Sequence, residues 1–153
     1  MLETICVLYV DDEENNLLAF KAAFRRDFQV ITAISGAEAL EKLKEHEVHV
    51  IITDQRMPGM TGVEFLQKVI PLYPDPIRIL LTGYSDINAV IDAINKGEVY
   101  RYLTKPWDNE FLKTTIRQAH EVLHLRAENE RLVDELKRAN EQLEFYLRQK
   151  LLS

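Results

Sequence analysis

Val48-His49-Val50-Ile51-Ile52-Thr53-Asp54 is an apolar, β-branched run that stops on an acid. Three further runs have the same form. Ile5-Cys6-Val7-Leu8-Tyr9-Val10 stops on Asp11 and Asp12, Ile77-Arg78-Ile79-Leu80-Leu81 on Thr82, and Tyr100-Arg101-Tyr102-Leu103-Thr104 on Lys105. Near-continuous runs of this length are expected as strands covered on both faces, as in a parallel sheet. Open parallel sheets bind ligands beyond the carboxyl ends of their strands. Three acids, a hydroxyl and an ammonium are therefore expected to meet at one spot.

Helical patterns separate the runs. Residues 14–26 carry Leu17, Leu18, Phe20, Ala23 and Phe24 largely on one stripe, and residues 28–33 read as a short strand. Residues 36–45 form a helix with Ala39, Leu40 and Leu43 inward. Residues 62–72 form another, closed by the prolines at 71, 74 and 76. A helix over 86–96 has Asp86 as N-cap and Gly97 as C-cap. Asp108 caps the last helix, with Glu110 in its first turn. Five strands alternating strictly with five helices, joined by right-handed crossovers, give a doubly wound α/β domain.

The 153 residues carry a formal net charge of -6, which argues against a general nucleic-acid-binding surface. A single cysteine, Cys6, inside an apolar run, excludes an internal disulfide and fits a reducing compartment. No run approaches a membrane span and no signal-peptide pattern opens the chain, so a cytoplasmic location is expected.

From 108 to 153 there is no glycine or proline to stop the last helix. Val122, Leu125, Asn129, Leu132, Leu136, Ala139, Leu143 and Tyr146 fall at alternating spacings of three and four. Heptads held this long are expected to form a dimeric coiled coil, with Asn129 fixing register at a core position. A solvated or partner-covered single helix is the simpler alternative. The helix reaches Leu151-Leu152-Ser153 without a cap, and an output domain is expected beyond it.

Carboxylates gathered without counter-charge repel one another, and a hard divalent cation resolves the conflict. Mg2+ prefers oxygen ligands and typically takes one or two carboxylates plus a phosphate. Asp11, Asp12 and Asp54 are the candidate metal ligands, Lys105 and Thr82 the candidate partners of a phosphoryl group. A carboxylate can itself be the nucleophile. Asp54, alone at the end of its run and before the Met57-Pro58-Gly59 turn, is the candidate acceptor.

Val10-Asp11-Asp12-Glu13, Asp54-Gln55-Arg56-Met57-Pro58-Gly59-Met60-Thr61-Gly62, Leu81-Thr82-Gly83 and Tyr102-Leu103-Thr104-Lys105-Pro106-Trp107 occur in this order over about residues 4 to 121. In that order and spacing the chain resembles the receiver domain of a two-component response regulator. The resemblance implies a flavodoxin-like sheet of order 2-1-3-4-5 over 1–121, then a linker helix over 122–153. It implies that Asp54 is phosphorylated by a histidine kinase or phosphotransfer protein. Mg2+ is then held by Asp12, Asp54 and the Arg56 backbone carbonyl, with Asp11 acting mainly through water. Thr82 and Lys105 hold phosphoryl oxygens, Thr82 and Tyr102 form the switch, and Lys105-Pro106 is cis. Arg56 and Tyr84, large side chains beside the site, are expected to slow hydrolysis of the phosphate. Outputs of similar receivers include cyclic-dinucleotide phosphodiesterases, enhancer-dependent transcription regulators and kinases.

Two competing readings stand beside this one. A receiver-shaped module can signal without phosphate, though such modules usually lose an acid, the threonine or the lysine. His120-Glu121-Val122-Leu123-His124 matches the zinc-hydrolase pattern of two histidines one turn apart. No third ligand is evident for it, and Val122 suits a coiled-coil core.

Overall fold

A computed structural model describes residues 4–83 and 87–152. Ten elements follow in strict alternation: β1 (Cys6–Val10), α1 (Glu14–Phe24), β2 (Gln29–Ala33), α2 (Gly36–Glu45), β3 (Val50–Asp54), α3 (Gly62–Val69), β4 (Ile77–Thr82), α4 (Ile87–Asn95), β5 (Arg101–Thr104) and α5 (Asn109–Leu152). All four strand pairings are parallel, in the order β2-β1-β3-β4-β5. The order reverses between β1 and β3, so their carboxyl ends flank the crevice where doubly wound folds bind ligands. The register sets Asp54 beside Leu81, and Thr82 beside Thr104.

The three inner strands behave as their sequences predict. Every residue of β1 and β3 is buried, as is all of β4 except Arg78. Cys6, Leu8 and Val10 point to one face and share a core with Ala39 and Leu43 of α2, Phe65, Leu66 and Val69 of α3, and Val90 and Ala93 of α4. On the other face Tyr9 stacks on Phe20 of α1, and the α5 residues Leu112, Ile116 and Ala119 are buried. Lys113 of α5 pairs with Asp27 at 3.3 Å, holding the start of α5 beside the α1–β2 turn.

Three expectations need correction. The run at 100–104 is not covered on both faces: β5 pairs only with β4, and Arg101 and Tyr102 are exposed. On α1, Leu18 is 61% exposed and Ala23 also faces solvent. The buried stripe there is Leu17, Phe20 and Phe24, an i, i+3, i+7 set from which position 18 is rotated by about 100°. Helix α3 ends at Val69 rather than 72, because Pro71 has no N–H to continue the ladder. The chain there closes instead through Leu72 and Tyr73 amides, both donating to the Val69 carbonyl.

Helices α2 and α3 start on the capping-box pattern, whereas α1 has no side-chain cap at Glu13. Ser35 and Thr61 accept hydrogen bonds from the amides of Glu38 and Glu64, at 3.1 and 3.2 Å. Asp108 accepts from the Glu110 amide at 3.0 Å, and Gly97 takes the expected left-handed conformation with φ +74°. Asp86 lies outside the described residues. No helix among the described residues is long and apolar enough to cross a membrane.

The chain divides into two compact units, Met1–His120 and Glu121–Ser153. The second is helical through Leu152. Leu125, Asn129, Leu132, Leu136, Leu143 and Tyr146 are all exposed along it, and Val122 is half-buried. Arg131 forms ion pairs with Glu128 and Glu135, one turn away on either side.

Candidate functional site

Asp11, Asp12 and Asp54 each offer a carboxylate oxygen to one place, with all three oxygens within 4.8 Å of one another. Asp11 follows β1, and its amide continues the sheet by donating to the Ala33 carbonyl. Asp54 is the last residue of β3. Lys105 approaches from β5: its amide donates to the Thr82 carbonyl at 3.1 Å, and its Nζ lies 2.9 Å from Asp54 Oδ2. Thr82 is fully buried at the end of β4, and its hydroxyl donates to the Gly83 carbonyl at 3.0 Å. The Lys105-Pro106 bond is cis.

Two acids face Asp54 and one ammonium offsets them. Burial pushes the Asp54 carboxyl above its ordinary range. Hydrogen bonding and charge from Lys105 pull it back, the charge of Asp11 pushes it up, and a hydrogen bond with the Arg56 backbone pulls it down. The net effect is upward, with burial as its main cause, and the three acids outnumber the one ammonium placed against them. Three carboxylate oxygens within 4.8 Å of one another suit a hard divalent cation.

Beside the acids opens a cleft of about 380 Å3 lined by Asp12, Gln55, Arg56, Met57, Pro58 and Thr61. Arg56 is exposed there. Tyr102, expected to switch, stands outward on β5 at 36% exposure. Tyr84 lies outside the described residues. His120 belongs to no group of three metal-ligating side chains among the described residues. Its ring instead meets that of His49 edge-on at 5.1 Å, and His49 Nδ1 accepts the Cys6 amide at 2.9 Å.

Three residues unmarked in the sequence support the site. Gln55 is buried, and its Oε1 accepts from the Val63 amide at 2.9 Å, so the residue after Asp54 caps helix α3. Its backbone carbonyl takes the Gly62 amide at 3.0 Å. Tyr9 and Asn16 both donate to Asp11 Oδ2, at 2.8 and 3.1 Å. Tyr9 was legible in principle, because residues two apart on a strand share a face. Gln55 and Asn16 carry no such signal.

The fold and site define a five-stranded doubly wound domain whose switch point gathers three carboxylates, a buried threonine and a lysine. Residues 7–117 match the model of the response regulator receiver domain. The chain belongs to that family, the receivers of two-component signal transduction systems. It is 40% identical over 147 residues to the hydrogenase transcriptional regulatory protein HoxA of Cupriavidus necator, a match covering 96% of this chain and 30% of that protein. It is 34% identical to the C4-dicarboxylate transport transcriptional regulatory protein DctD of Rhizobium meliloti, covering 82% of this chain and 27% of that one. The chain thus spans less than a third of the length of these relatives. Among solved structures, one described as adenylate cyclase from Rhodopirellula baltica superposes with a TM-score of 0.82 at 34% identity, covering 86% of this chain and 98% of that one. The signal receiver domain of an HD domain-containing protein from Pseudomonas fluorescens Pf-5 gives 0.75 at 36% identity, covering 80% and 98%.

Proposed function

We propose that Asp54 accepts a phosphoryl group from a histidine kinase or phosphotransfer protein in a Mg2+-dependent reaction. The observation that carries this reading is the juxtaposition of Asp54 with Lys105 at 2.9 Å inside a three-carboxylate cluster. Asp12, Asp54 and the Arg56 backbone carbonyl are the residues to hold Mg2+, with Asp11 acting through water. When bound, the cation supplies the positive charge that the acids lack and that incoming phosphoryl oxygens need.

The remaining chemistry belongs to the chain. The Asp54 carboxylate is the nucleophile: one of its oxygens bonds to phosphorus as the P–N bond to the donor's histidine breaks, and the imidazole leaves and is protonated. Lys105 passes from the Asp54 carboxylate to a phosphoryl oxygen as the acyl phosphate forms. Thr82 gives up its bond to the Gly83 carbonyl and donates to a second phosphoryl oxygen. Tyr102 then turns inward, changing the surface of α4, β5 and the start of α5. Receiver domains are generally not enzymes, and this one assists only its own phosphorylation and hydrolysis.

Residues 122–153 are proposed to pair with a second copy as a coiled coil and to carry the change to a C-terminal output domain in the cytoplasm. Both curated relatives are named transcriptional regulatory proteins and extend well beyond the matched region. An output acting on transcription is therefore the favoured one, with this segment itself making no contact with nucleic acid.

Beryllofluoride, a phosphoryl mimic, tests the site without a kinase. With Mg2+ it should bind wild-type protein and give a single bound fluorine NMR signature, lost in Asp54→Asn and weakened in Lys105→Ala. Binding that survives Asp54→Asn would remove Asp54 from the acceptor role.

A further inference from the structure

The three carboxylates are not equivalent. Asp11 is 0% exposed, and it accepts three hydrogen bonds. Its Oδ2 takes the Tyr9 hydroxyl at 2.8 Å and the Asn16 side-chain amide at 3.1 Å, and its Oδ1 takes the Glu13 backbone amide at 3.0 Å. An ionised carboxylate has about four acceptor positions, so about one remains, on Oδ1.

The strongest of these partners is itself fixed. Tyr9 is 0% exposed. Its ring stacks on Phe20 with centroids 4.1 Å apart and planes within 6°, and it meets Trp107 edge-on at 6.4 Å. The hydroxyl therefore cannot leave Asp11 without unpacking the ring. Asn16, in the first turn of α1, donates to the same oxygen and also reaches Glu13 Oε2 at 3.3 Å.

We infer that Tyr9 and Asn16 are positioning residues that hold the Asp11 carboxylate with only Oδ1 available to the cation site, and so set the Mg2+ affinity of the domain. The inference rests on the Mg2+ reading proposed above and names the residues that tune it. A carboxylate allowed to rotate must be reordered each time the cation binds. Loss of a hydrogen-bonding partner behind a direct ligand commonly lowers metal affinity about 10- to 100-fold, and Asp11, which meets the cation through water, belongs at the low end of that range. Because Tyr9 also touches Trp107, two residues after Lys105, the only tryptophan of the chain lies within one ring of the site.

The test titrates Mg2+ into the metal-free full chain, reading both Trp107 fluorescence and the Mg2+ dependence of the thermal midpoint. Tyr9→Phe keeps the ring and removes only the hydroxyl. Its Mg2+ dissociation constant should rise about 10-fold, and Asn16→Ala should give a smaller rise because Tyr9 still holds the same oxygen. Phe24→Leu, in the same aromatic row at 4.7 Å from Phe20, should lower the thermal midpoint and leave the dissociation constant unchanged. An unchanged or tighter constant in Tyr9→Phe overturns the inference, as does an equal rise in Phe24→Leu. In either case Mg2+ binding by the wild type leaves the site reading standing. Failure of the wild type to bind Mg2+ overturns both.

Discussion

Burial, together with the charge of Asp11, raises the Asp54 carboxyl more than Lys105 and the Arg56 backbone lower it. A carboxyl raised in the folded state binds more protons there than in the unfolded chain. Folding stability therefore falls as pH rises from the ordinary carboxylate range through the raised folded value, and the cost is fully present at neutral pH. In metal-free protein, Asp54→Asn should be more stable than wild type at neutral pH, with a higher thermal midpoint. The gain should shrink as pH falls into the ordinary carboxylate range. Thermal melts of both proteins across that range check it, and an Asn variant less stable at neutral pH would contradict it. Asp54, Thr82 and Lys105 were legible in the sequence because each ends an apolar run, which places it at the carboxyl edge of the sheet. Asn16 and Gln55 were not marked, because each acts through a hydrogen bond across a turn, and spacing alone does not report such a bond; Tyr9, two residues before Asp11 along β1, could have been read from the strand period.

Helix α3 reaches its place only because its first residue has no side chain. A Cβ at Gly62 would stand 2.4 Å from the Asp54 carbonyl oxygen and 2.8 Å from Leu80 Cδ1. The carbonyl belongs to β3 and cannot yield, so Gly62→Ala must push α3 outward and strain the Gln55–Val63 bond behind Asp54. We predict a loss of about 1–3 kcal/mol in urea unfolding. At Gly83 an added Cβ meets nothing within 4 Å, so Gly83→Ala should stay within about 0.5 kcal/mol of wild type. Equal effects at the two positions would refute the close-approach account. The inner strands and most helices were legible because burial on both faces leaves continuous apolar runs. The edges were less so. Tyr100-Arg101-Tyr102 has the residue types of a buried strand, yet β5 has one neighbour and shows Arg101 and Tyr102 to solvent while Leu103 is buried. The excess of apolar residues on α1 likewise hid the exposure of Leu18, since a stripe of three suffices to cover β1.

At the scale of the molecule, the receiver and the helix that follows it make separable predictions. A chain ending at residue 121 should fold and sediment as a monomer, while the full chain should dimerise with concentration. Leu132→Glu with Leu136→Glu should abolish the dimer and leave the receiver's thermal midpoint unchanged. A full chain that stays monomeric at high concentration would favour a helix covered by its output domain. The heptad pattern was legible, since spacing alone carries it, but spacing does not say what covers the apolar stripe. The whole account turns on one event at Asp54. Its most direct test is intact mass spectrometry after incubation with acetyl phosphate. The account predicts a gain of one phosphoryl group that requires Mg2+ and is absent in Asp54→Asn. Equal incorporation in Asp54→Asn would contradict it, as would no incorporation with acetyl phosphate or with histidine kinases presented to the full chain.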